Sequence, residues 1–337
     1  MEQPAPVVSV VIKSYNHEAY VGHTIRSVLE QSFQDFEIVV TDDGSTDATP
    51  QIIEAFTDAR IRFERSERNR GAAATMNATV ARARGEFIAI LNSDDFALPG
   101  RLKTQVAFLR DHPEIAAVFC IPVQVGESGA PIEGIGPLFA IPFEHPNPTR
   151  VQWLRHFFLH GNCLCAPSAM IRRSAYAELG TDDPRLALLL DLDRWIRLLQ
   201  TYEIHVMAEP LVAFRVRANL ANASAPRDDT RLRDTFEAFE IFKRYRDYAP
   251  EFLREIFAED IARHGIDASR PNGVLLAEIA LRGSMAWHPA FALDSLFAAA
   301  SDESDYRRLR ELSGSVNAFR IPLIAARAGA EESSGVS

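Results

Sequence analysis

The chain has 337 residues, of which 47% are apolar and 24% charged, the balance of a soluble globular protein with one large domain or two modest ones. A formal charge of −10 argues against a protein whose main task is gripping nucleic acid. Three cysteines, Cys120, Cys163 and Cys165, are too few for a disulfide framework and lack zinc spacing.

Strand-like residues begin by Val7 with no charged-then-apolar leader before them, and no apolar run reaches the ~18–20 residues that span a bilayer. These features predict a cytoplasmic protein, with peripheral contact at the inner face of the cell membrane left open. Oligomeric state is not legible.

Val7 to Ile12 is apolar almost throughout, as a parallel strand covered on both faces would be. Asn16 is placed to cap the next helix, whose Tyr20/Val21, Thr24/Ile25 and Val28/Leu29 recur at helical spacing. A second strand over 37–41 leads through Asp42-Asp43-Gly44-Ser45 into a helix with Pro50 in its first turn. A short strand at 61–63, an Ala-rich helix over 72–83 and a strand over 86–91 follow. This alternation predicts an α/β fold, a doubly wound and mostly parallel sheet.

Beyond it come a helix marked by Leu102, Val106 and Leu109, a strand over 115–125, and a Gly- and Pro-rich loop over 126–150. Residues 167–171 read as extended, and Leu192, Trp195, Leu198 and Leu199 mark an amphipathic helix. From about Thr230 onward the pattern is helical. Phe236, Phe239, Ile241, Phe242, Trp287, Phe291 and Phe297 read there as packing residues. The expected division is a catalytic domain over 1–217, a helical region over 218–330 and a disordered tail over 331–337.

Ligands of open parallel sheets bind beyond the carboxyl ends of the strands. Polar clusters recur at that edge: Lys13-Ser14-Tyr15-Asn16, Asp42-Asp43 and Asn92-Ser93-Asp94-Asp95. No Gly-x-Gly-x-x-Gly or phosphate-loop motif follows the first strand, so side chains or a cation must hold the ligand. Adjacent carboxylates at the end of a dry strand need water, a cation or a polar ligand, and Asp94-Asp95 suit hard oxygen ligation of Mg²⁺ or Mn²⁺. Taken alone, Asp94-Asp95 also fit a turn before Pro99, and Asp42-Asp43 an Asx turn.

In order and spacing, 10-VVIKSYN-16, 39-VVTDDGSTD-47, 84-RGEFI-88 and 91-LNSDD-95 resemble the family-2 glycosyltransferases of the GT-A fold, over roughly residues 7–215. The resemblance implies a nucleotide-diphosphate sugar donor, with a UDP-sugar first in expectation, a Mn²⁺ or Mg²⁺ ion and inversion at the anomeric carbon. The acceptor it implies is a glycan or lipid-linked saccharide hydroxyl, in surface polysaccharide or lipopolysaccharide assembly.

By resemblance, Ser14, Tyr15, Asn16, Asp42, Asp43, Asn77 and Asp94 fall at donor-binding positions and Asp95 at the metal ligand. Asp191-Leu192-Asp193-Arg194-Trp195 resembles the segment whose acidic residue is the catalytic base, which maps onto Asp191, with Asn162, Asp193 and Trp195 toward the acceptor. Two departures stand out: Leu190 replaces the usual Glu, and Met76 precedes Asn77 where many relatives carry Arg. Arg70, Arg215 or Arg217 are candidates to supply that charge. The rival readings are a non-catalytic scaffold that keeps the fold and a sugar nucleotidyltransferase.

Overall fold

A computed structural model of the chain describes residues 5–132, 147–217, 222 and 227–300. It divides into two compact units, Met1–Arg150 with Asn162–Thr230, and Val151–Gly161 with Arg231–Ser337. Part of the expected loop over 126–150, and the tail over 331–337, lie outside the described residues.

The first unit is the α/β layer. Its elements in chain order are β1 (Val8–Ser14), α1 (Val21–Leu29), β2 (Phe36–Asp42), α2 (Thr49–Glu54), β3 (Ile61–Arg65), α3 (Ala72–Ala81), β4 (Phe87–Asn92) and β5 (Phe96–Ala97). They continue with α4 (Arg101–Asp111), β6 (Ile115–Cys120) and β7 (Val123–Val125). After α5 (Arg150–His160) come β8 (Met170–Arg172), α6 (Arg173–Leu179), α7 (Leu190–Leu199), β9 (Glu203–Met207) and β10 (Val212–Arg215).

The large sheet runs β3-β2-β1-β4-β8-β6-β9, and a small one runs β5-β10-β7. β3, β2, β1 and β4 are mutually parallel, whereas β8 is antiparallel to both neighbours. The doubly wound, mostly parallel sheet expected from the alternating pattern is therefore present. β1 is buried on both faces, which is why its apolar run has no alternation. The run read as one strand over 115–125 is two, because β6 joins the large sheet and β7 the small one.

In-register pairing sets the site. Ser14 lies opposite Asp42, and Lys13 opposite Asn92, so β1, β2 and β4 end at one level. The loops leaving them share a sheet edge.

The second unit contains most of α5 and the helices from α8 (Asp228–Phe242) through α9 (Pro250–Ile256), α10 (Ala258–His264), α11 (Asn272–Ala280) and α12 (His288–Ala300). The sequence places residues 151–161 with the catalytic region, yet they pack here. Phe158 is the reason, since its ring meets Phe242, Tyr245, Phe257, Trp287 and Phe291. Arg155 adds a bidentate pair to buried Asp260. Phe236 and Phe297, expected in the core, are instead exposed, because each points off the buried stripe of its helix. No helix among the described residues is long and apolar enough to cross a membrane.

Candidate active site

At the end of β1, Ser14, Asn16 and His17 bond to the residues that lead from β2 into α2. Asn16 adopts a left-handed φ of 51°, which Asn tolerates better than most residues. Its backbone N–H donates to Ser45 Oγ (2.8 Å), and its Oδ1 accepts the Thr46 N–H (2.9 Å). It does not cap α1, which begins at Val21 without a side-chain cap.

The two carboxylates after β2 do different work. Asp42 is fully buried, accepting from Ser14 Oγ (3.1 Å), the Ser45 N–H (2.8 Å) and Ser45 Oγ. It is an internal anchor, and it consumes the Ser14 hydroxyl as well. Asp43 accepts the N–H groups of Arg70 (2.8 Å) and Gly71 (3.0 Å), so it ties the loop before α3 to the sheet edge. Gly44 between these loops is obligatory. Its φ is +75°, and a Cβ would fall 2.6 Å from the Arg68 carbonyl carbon.

The third polar cluster is braced from two sides. Thr24 Oγ1 of α1 donates to the backbone oxygen of Ser93 or Asp95, 2.9 and 2.6 Å away. Arg215 at the end of β10 donates its N–H to Asp95 Oδ1 (2.8 Å) and its Nε–H to the Asp94 carbonyl (2.7 Å). Its Nη1 reaches the Gly126 carbonyl (2.8 Å). Asn92 Nδ2 donates to Asp95 Oδ2 (2.9 Å).

Asp191 stands in the first turn of α7, partly exposed. Its Oδ2 accepts from Asn162 Nδ2 (2.9 Å) and its Oδ1 from the Leu192 N–H (2.9 Å). Burial lowers the Lys13 pKa, and the charges of Asp94, Asp191 and Asp95 act against that shift.

A family model described as Glycosyl transferase family 2 matches residues 9–180. The chain belongs to that family. An uncharacterized glycosyltransferase of Methanocaldococcus jannaschii is 30% identical over 220 residues, 64% of this chain and 72% of the relative. The Escherichia coli UDP-Glc:alpha-D-GlcNAc-diphosphoundecaprenol beta-1,3-glucosyltransferase WfgD is 37% identical over 103 residues, 31% of this chain and 41% of the relative.

Among solved structures, S. aureus TarS 1–349 in complex with UDP-GlcNAc aligns with a TM-score of 0.57 at 19% identity, covering 90% of each chain. The mannosyltransferase PcManGT of Pyrobaculum calidifontis, in complex with GDP-Man and Mn²⁺, aligns at 0.52 and 19%, covering 96% of this chain and 86% of the other. At those identities the structures establish the fold.

The site of this family 2 glycosyltransferase is electrostatically tense. Burial and the neighbouring Asp94 push the Asp95 carboxyl well above the usual carboxylate range. Burial raises Asp191 too, against opposing hydrogen bonds from Leu192 and Asn162 and the charge of Arg194. Among the described residues no group of three or more His, Cys, Asp or Glu side chains could cage a metal. A cation held by one or two carboxylates and completed by ligand oxygens and water would need no such cage.

Several sequence-assigned residues sit one layer below the site. Asn77 spends its amide on Asp182, donating to its carbonyl (2.9 Å) and accepting its N–H (2.8 Å). Asp193 is buried and paired with Arg197 (2.8 Å), and Trp195 is wholly buried with its ring edge-on to Phe119. Neither Asp193 nor Trp195 presents a surface to an acceptor. Tyr15 stays open at the site, 43% exposed. Arg215 is committed to backbone carbonyls, so it braces the acid turn rather than reaching out of it.

Two participants escaped sequence reading. His17 Nδ1 lies 2.7 Å from Ser93 Oγ, and its Nε2 lies 3.1 Å from Arg217 Nη1. A guanidinium can only donate, so Nε2 is the acceptor and Nδ1 carries the proton. Burial lowers the His17 pKa, which favours that neutral form. The other is the Asp182–Arg194 ion pair, buried and bidentate, whose arginine lies one turn beyond Asp191 in α7. Twelve residues of separation carried no periodic signal for it.

Proposed function

We propose that this glycosyltransferase moves a sugar from a nucleotide-diphosphate sugar to a hydroxyl of a glycan or lipid-linked saccharide by a single displacement that inverts the anomeric carbon. The observation that carries the reading is Asp191, a partly exposed carboxylate with a raised pKa, oriented by Asn162 and, like the acid pair, acting on the charge of Lys13. A uridine nucleotide is the favoured donor, in line with the UDP-sugar named for WfgD and the UDP-GlcNAc bound to TarS. Assembly of a surface polysaccharide at the inner face of the cell membrane is the setting we favour, since WfgD by name acts on a diphosphoundecaprenol-linked saccharide.

In this mechanism Asp191 accepts the acceptor hydroxyl's proton as its oxygen attacks the anomeric carbon and the carbon–oxygen bond to the diphosphate breaks. Asn162 and the Leu192 N–H hold both carboxylate oxygens so that one lone pair faces the incoming hydroxyl. Asp95, with Asp94 beside it, would hold Mn²⁺ or Mg²⁺, which as a Lewis acid stabilises charge on a departing diphosphate. Asp43, Asn16 and Tyr15 line the nucleotide end, the first two by fixing the loops and Tyr15 by its open ring.

The test is transfer itself. Labelled UDP-, thymidine diphosphate- and GDP-sugars are offered with lipid-linked saccharide acceptors, and the product's anomeric configuration is read by NMR. Inverted product from one nucleotide is expected. Retained configuration, or release of a sugar 1-phosphate, contradicts the proposal.

A further inference from the structure

Of the 36 basic residues only Lys13, Lys103 and Lys243 are lysines, and one of the three stands at the end of β1. In-register pairing puts Lys13 between Thr41 of β2 and Asn92 of β4, on the sheet face that α3 covers. Thr41 is already bound to Thr79 Oγ1 (2.8 Å) and Arg82 (2.7 Å), and Asn92 to Asp95. Among the described residues Lys13 makes no side-chain hydrogen bond or ion pair, although it feels Asp94, Asp95 and Asp191 at longer range.

The arginines nearby are engaged. Arg194 pairs with Asp182, Arg215 holds the carbonyls of Asp94 and Gly126, and Arg217 reaches His17. A half-buried ammonium with three donors and no partner gains most from a ligand oxygen that supplies charge and acceptor together. The charge balance points the same way. A divalent cation would neutralise Asp94 and Asp95 and leave the two negative charges of a donor's diphosphate uncompensated.

We propose that Lys13 is a donor-binding residue whose Nζ takes an anionic oxygen of the nucleotide's diphosphate. The assignment rests on the donor-site reading above. It differs from that reading in naming a protein cation, supplied by β1 itself, that grips the diphosphate independently of the metal. A compact ammonium fits a single oxygen at this crowded strand end better than the planar fork of arginine, which keeps the charge but not the shape.

The test measures binding of UDP, uridine and UDP-glucuronic acid to the full chain by titration calorimetry with Mn²⁺ present, for wild type, Lys13→Met and Lys13→Arg. Methionine fills the same space without charge, and burial already disfavours the ammonium, so Lys13→Met should melt no lower than wild type. The expected result is an about 10- to 100-fold loss of UDP affinity in Lys13→Met with uridine binding unchanged, and partial recovery in Lys13→Arg. An unchanged UDP-over-uridine preference in Lys13→Met overturns the assignment and leaves the donor site standing. A loss confined to UDP-glucuronic acid also overturns it, in favour of a sugar carboxylate. If wild type binds no nucleotide, both the assignment and the donor reading fall.

Discussion

Asn162 Nδ2 lies 2.9 Å from Asp191 Oδ2, and this one hydrogen bond joins the loop after α5 to the first turn of α7. It orients the carboxylate we assign as general base and also tunes it. Hydrogen bonding to the charged form lowers a pKa that burial has raised. Asp191 must be ionised to accept a proton, so activity falls as pH drops through its folded pKa, which lies above the ordinary carboxylate value. Asn162→Ala removes an opposing contribution, and the acid limb of the pH–rate profile is expected to move to higher pH. A limb that stays in place would separate Asp191 from the rate.

Asp191→Asn is expected to lower kcat by ~10²–10⁴ while leaving donor affinity unchanged. Stability should not suffer. The folded pKa is raised, so the carboxyl's favourable contribution, complete below the ordinary carboxylate pKa, is already lost once the pH has risen through the folded value. At neutral pH the variant should therefore melt no lower than wild type. Single-turnover kinetics and calorimetry read the two effects apart.

One turn beyond the base in α7, Arg194 pairs with Asp182; both are about 2% exposed or less, and Asn77 clamps the Asp182 backbone. Removing one partner strands a buried charge, so Asp182→Ala is expected to cost about 3–5 kcal/mol in chemical denaturation. Asn77→Ala should cost less, about 1–3 kcal/mol, because it orphans neutral backbone groups. Equal costs would mean that the ion pair adds nothing beyond the clamp.

Gly44→Ala tests the sheet edge. A left-handed φ costs an L-residue about 1–2 kcal/mol, and the Arg68 backbone leaves no room for a Cβ. The loop carrying Asp43 must shift, so nucleotide affinity should fall together with the melting temperature. A drop in stability with full affinity would detach Asp43 from the donor.

The strand ends were readable because parallel strands buried on both faces are nearly continuous apolar runs, and the polar residues that interrupt β1, β2 and β4 fall at one level. Asp95 was singled out at that same edge, whereas Asp191, in the first turn of α7, was singled out by family resemblance alone. What failed was the division of labour between neighbours. Asp42 and Asp43 look alike in sequence, but only the pairing of Ser14 with Asp42 turns the first inward as an anchor. Asn77 and Trp195 were displaced one layer inward for the same reason, since their partners Asp182 and Phe119 are set by tertiary packing, while Asp193 turns inward to pair with Arg197 one turn on in its own helix. The transfer of residues 151–161 to the helical unit depends on Phe158 meeting rings some 80 to 130 positions away, which no local pattern encodes.

Thermal unfolding with UDP and GDP, with and without Mn²⁺, on wild type and Asp95→Asn tests the donor site most directly. A nucleotide at ~100 times its dissociation constant should add about 2.7 kcal/mol of stability. That increment is expected for one base only, dependent on the cation and lost in Asp95→Asn. A cooperative melt that no nucleoside diphosphate shifts, with or without the cation, would contradict it.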